Sequence, residues 1–166
     1  MRRLTISVRA CTETLALLVA MAWVDGNLDD DERGGIRDAA KMLNLPKELR
    51  DRLEGYMKEP PPLDEVGLAE MGRKEREFAF VASAWLANLS EGIVDAEQEL
   101  LDDIAAEIEI DEPRQLELTK LAQEIDPPAD GESWAKTIQD LFRAIATRVE
   151  PAKDGEEGEP VEVAFE

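Results

Sequence analysis

An all-α bundle is the fold class that this 166-residue sequence predicts, and three observations carry the prediction. Apolar residues recur at spacings of three and four along most of the chain, the period of helices with a buried side. Hydrophobic residues make up 43% of the chain and charged residues 35%, with 9 Pro and 10 Gly, a balance that belongs to a helix-rich globular protein and not to a disordered one. β-Branched residues do not cluster before the last few positions. The length suits one domain with a tail. The expected division is a single bundle of about seven or eight helices over residues 1–149 and an acidic, flexible tail over 150–166.

The first helix is expected from Leu4, Val8, Cys11, Leu15, Leu18 and Ala22, which would form one buried stripe. Arg2, Arg3 and the apolar stretch Leu15–Val24, with its Ala-x-Ala at 20–22, imitate a secretory signal. Glu13 interrupts the imitation, so a cytoplasmic helix is the better reading, and no stretch is long and apolar enough to span a membrane. Cys11 falls at an apolar helical position and is expected in the core. Further helices are expected at 47–58 behind Pro46, 63–70, 73–89, 96–109, 113–125 behind Asp111 and Pro113, and 132–149. Trp134, Ile138, Leu141, Ile145 and Val149 mark the buried edge of the last one. Trp23 and Trp85 are read, like Trp134, as core anchors.

A weak internal repeat organises the chain. Laying Glu32 on Glu97 aligns Ile36 with Leu101, Ala39 with Ile104, Ala40 with Ala105, Leu43 with Ile108 and Leu45 with Ile110, an offset of 65. Upstream, Asp25-Gly26-Asn27-Leu28-Asp29 matches Glu91-Gly92-Ile93-Val94-Asp95 at an offset of 66. Each unit is a helix, an acidic turn with Gly and an amphipathic helix. Asp29 with Glu32, and Asp95 with Gln98, have the spacing of capping boxes.

What is missing removes more chemistry than any motif adds. The chain has no His and a single Cys, so imidazole bases, His-ligated zinc, di-metal Glu-x-x-His bundles and an intramolecular disulfide are all excluded. Acids packed together at 29–32 face water, without the buried, protonated partner that a carboxylate pair needs for glycoside chemistry. The chain is therefore not expected to be an enzyme. A formal charge of −20 argues against nucleic acid and favours cations or a basic protein surface as partners.

A duplicated helical domain with Ala22–Glu32, "A-x-V-D-G-x-L-x-x-x-E", after its first core helix, and the equivalent Glu91–Glu97 in its second half, resembles the TerB-like family, the type of the tellurite-resistance TerB proteins and the N-terminal domain of the co-chaperone DjlA. The resemblance covers roughly residues 10–125. The second copy departs from the pattern, with Glu91 in place of the Asp and Glu97 one residue early. The resemblance implies a helical module of stress response, metal resistance or defence, with an acidic motif that binds divalent cations.

The residues themselves leave two readings of the first acidic turn open. Asp25, Asn27, Asp29 and Asp31 alternate as oxygen ligands do at the start of a calcium loop, and Glu32, Glu91 and Asp95 complete a candidate site for Ca²⁺ or Mg²⁺. Asp30 and Ile36 stand where an EF-hand requires Gly and Glu, so it is not an EF-hand. The other reading is helix capping with a solvated face. Residues 95–112 hold nine acids and no Lys or Arg, more repulsion than a solvated face requires, which suits a basic protein partner. The tail carries a charge of −6 and ends in Val161, Val163 and Phe165 at a period of two, a strand with no evident sheet to join and a candidate docking segment. Its removal would then leave the melting temperature nearly unchanged. The expected function is a non-enzymatic binding or adaptor module. The alternatives are a divalent-cation sensor or sequestering protein built on Asp25–Glu32, and a structural component joined to an assembly through its tail.

Overall fold

The computed structural model describes residues 2–6, 8–24, 30–42, 45–59, 73–88, 95–125, 134–149 and 161–165. Seven helices among them form an all-α bundle: α1 (Val8–Val24), α2 (Asp30–Met42), α3 (Lys47–Lys58), α4 (Arg73–Ala87), α5 (Asp95–Glu107), α6 (Glu112–Glu124) and α7 (Trp134–Val149). Two short strands, β1 (Arg2–Ile6) and β2 (Val161–Phe165), pair in parallel. The helix expected at 63–70 lies outside the described residues.

α1 and α4 pack against each other at the centre, with α3 laid on α1, α6 on α4, and α7 against both α2 and α4. The sequences of the central pair explain their place. Every residue from Ala10 to Met21 is buried, as is every residue from Glu77 to Trp85. A helix apolar around its whole circumference belongs in the middle of a fold. The single stripe expected for α1 is therefore corrected to burial on all sides, and Leu4 belongs to β1, because the helix begins at Val8. Cys11 is fully buried as expected, and burial pushes its thiol well above the usual range. Phe78 of α4 meets Phe142 of α7 edge to face, with ring centroids 5.0 Å apart, next to buried Ile138, Leu141 and Ile145.

Burying α1 and α4 this completely takes two carboxylates into the core, and each meets an arginine from the helix laid beside it. Glu13 of α1, with its side chain 0% exposed, accepts from Nη1 of Arg52 on α3. Arg52 also donates from Nε to the Tyr56 hydroxyl at 2.8 Å and lies 5.5 Å from that ring's centroid. Trp23 Nε1 at the end of α1 donates to the Tyr56 carbonyl at 2.9 Å. In the second half, Arg114 of α6 grips Glu77 of α4 through both carboxylate oxygens, at 2.6 and 2.9 Å, and donates a third bond to Glu117 at 2.6 Å. Those bonds, first to Glu77 and then to Glu117, hold its guanidinium charged well beyond the ordinary range.

Local signals set the outer helices. α3 runs from Lys47 to Lys58, as Pro46 at its N-cap predicts. α6 is capped by Asp111, whose carboxylate accepts the Arg114 amide at 3.0 Å. The C-termini of α2 and α5 close alike: the Leu45 amide donates to the Ala40 carbonyl at 3.1 Å and the Ile110 amide to the Ala105 carbonyl at 3.0 Å, the same six-to-one bond 65 positions apart. At the second of these turns Glu109 takes a φ of 57°, where glycine is the usual residue.

Removing one partner of a buried pair strands a charge. Arg52→Met should destabilise the fold by about 3–5 kcal/mol in urea denaturation, and Glu13→Leu combined with Arg52→Met should restore most of that loss.

Candidate functional site

The acidic surface that singles out the second half of the sequence is built by α5, the turn after it and the start of α6. Its apolar positions fix which acids face outward. Leu101, Ile104, Ala105 and Ile108 are buried against the core, so Asp95, Glu99, Asp102, Asp103 and Glu107 are exposed. Glu109, Asp111 and Glu112 extend the exposed series through the turn. Glu97 is the exception, 3% exposed. Asp95 and Glu97 in the first turn of α5 favour its positive end, whereas Glu107 and Glu109 crowd the negative end. Arg76 of α4 offsets that crowding: its Nη1 donates to the Ile108 carbonyl at 3.3 Å and stands 3.9 Å from the Glu109 carboxylate. Next along the surface, Leu116 of α6 is 62% exposed, a large apolar side chain beside the acids. Such a face can take a cationic surface with an apolar contact.

The candidate cation ligands divide between described and undescribed residues. Asp25, Asn27, Asp29 and Glu91 lie outside the described residues. Asp31 and Glu32 are in the first turn of α2 by their backbone, and their side chains are not among those described. Asp95 is exposed at the start of α5. Among the described residues, no three His, Cys, Asp or Glu side chains group as a metal site would require. α2 begins at Asp30, so the capping box expected from Asp29 and Glu32 falls on a residue outside those described and on a side chain that is not among them. The second capping box is corrected: α5 already begins at Asp95, and the Gln98 amide donates forward to Asp102 at 2.9 Å instead of back to the helix start.

Val161, Val163 and Phe165 form β2, and the sheet they join is the chain's own. The register sets Val161 opposite Arg2, Val163 opposite Leu4 and Phe165 opposite Ile6, while β2 also packs on α7. The reading of this segment as a strand without a sheet is thereby corrected. It pairs with the opposite end of the chain, a contact that local sequence cannot signal. Trp85 is core as expected; Trp23 is half-buried; the Trp134 side chain is not among those described. Among the described residues no helix is long and apolar enough to cross a membrane. No family model matches the chain, and no curated protein or solved structure matches it either.

Two outcomes follow. If Asp29 is a cap, Asp29→Ala costs about 0.5–2 kcal/mol, equally in calcium and in chelator, by denaturant titration; a loss confined to calcium marks a cation site instead. Removing residues 151–166 strips β1 of its partner and should lower the melting temperature by roughly 2–4 °C for each kcal/mol that the clasp contributes.

Proposed function

We propose that this chain is a non-enzymatic, TerB-like helical binding module whose α5–α6 face receives a basic surface on a partner protein. The observation that carries this reading is the run from Asp95 to Glu112, which has nine acids and no basic residue, eight of them exposed on one stretch of helix and turn. Like charges three and four apart on a helix oppose one another by a few tenths of a kcal/mol per pair, about 0.2–0.5. A bound cationic surface would turn that repulsion into attraction, with exposed Leu116 supplying an apolar contact within a polar rim.

Support for descent from a duplicated unit comes from the matching C-terminal turns of α2 and α5 and from the two Glu-to-Arg pairs, each joining the first and third helices of its half. The resemblance of Ala22–Glu32 to the TerB-like motif suggests a role in stress, metal resistance or defence. Divalent-cation sensing at Asp25–Glu32 stays as the rival reading, because Asp25, Asn27, Asp29 and Asp31 alternate as oxygen ligands do at the start of a calcium loop.

The test is a comparison of proteins recovered from a bacterial extract by the intact chain and by an Asp102→Asn, Asp103→Asn, Glu107→Gln variant. These side chains are exposed, so the fold should be unaffected. A basic protein should be retained at low salt, released as salt rises and lost with the variant. Recovery of the same proteins by both forms would contradict it.

A further inference from the structure

The first half of the bundle contains the opposite of the acidic face. A cleft of about 290 Å³ opens between α2 and α3. Its floor is apolar: Ile36 and Ala40 of α2 with Leu53 and Met57 of α3, all buried. Four cations line it, Arg37, Lys41, Lys47 and Arg50, in a chain whose formal charge is −20. Two carboxylates are also present, Asp51 and Glu54. Arg37 is already committed, since its Nε and Nη2 donate to Glu54 at 2.5 and 3.0 Å, and this bond holds the Glu54 carboxyl below its ordinary value. That leaves Lys41, Lys47 and Arg50 against Asp51, an excess of positive charge over an apolar floor.

Two further features point to an anionic occupant. The Nε of Arg50 is buried and has no hydrogen-bond partner among the described residues, an expensive state for a charged donor. The positive end of α3 opens at Lys47 behind Pro46, which supplies no side-chain cap. Every uncommitted polar group except Asp51 is a donor, so the complementary ligand has an acceptor-only head and an apolar body. A planar carboxylate matches the fork of a guanidinium. The volume lies at the small end for ligand sites, which suits one short chain.

We propose that the α2–α3 cleft is a binding site for a small aliphatic carboxylate, with its head held by Arg50, Lys47 and Lys41 and its chain laid on Ile36, Ala40, Leu53 and Met57. The site is independent of the acidic α5–α6 face and of any partner held there.

Octanoate is the probe, titrated into the full-length ¹⁵N-labelled chain at fixed ionic strength and followed through backbone amide shifts, with octanol and acetate as separate arms. The expected result is saturable shifts confined to α2 and α3 with octanoate, and none that saturate with octanol or acetate. Lys41→Glu with Lys47→Glu, both exposed positions, should weaken octanoate by about tenfold or more without altering the rest of the spectrum. Absence of saturable shifts would overturn the proposal. Equal response to acetate would mean an adventitious ion only; equal response to octanol would mean apolar filling without recognition of charge. Unchanged affinity in the double variant would overturn it as well.

Discussion

Two carboxylates inside the bundle, Glu13 on α1 and Glu77 on α4, set the terms for the rest of the structure, because their side chains are 0% and 8% exposed. A lone buried carboxylate costs several kcal/mol, so each must meet a cation that arrives from another helix. Arg52 brings α3 onto α1, and Arg114 brings α6 onto α4. The pairs add little net stability against an apolar alternative, but they accept only one placement of each outer helix. Around them the apolar contacts of α1 with α4, and of α4 with α7, supply the driving force.

A strongly acidic chain has to distribute its repulsion, and this one does so unevenly. α5 carries six acids and no basic residue, whereas α2 and α3 interleave both signs. At aligned positions of the two halves, Arg37 stands where the second half has Asp102, and Lys41 where it has Ala106. The surface of α2 and α3 thus mixes both signs where that of α5 is uniformly acidic.

Much of the fold was legible where a local signal exists. Pro46 marked the start of α3, and Asp111 with Pro113 marked α6 to within a residue, because capping chemistry is local. The central helix was misread as one-sided: its apolar spacing is real, but Thr12, Glu13 and Thr14 are buried too, and no single-helix pattern tells a paired carboxylate from a solvated one. Leu4 fell by coincidence at a helical spacing from Val8, and its true neighbour, Val163, is supplied by the other end of the chain. The acidic face was visible as a run of contiguous residues. The cationic cleft was not, because Lys41, Lys47 and Arg50 are spread over two helices and come together only through packing.

The central claim is that α1 and α4 form the axis on which the other elements depend. Native-state hydrogen exchange with increasing denaturant tests it most directly. Amides in the middle of α1 and α4 should exchange only through global unfolding, while those of β1, β2 and α2 open first at lower free energy. Exchange of the α1 or α4 amides through local opening, ahead of α2, would contradict it.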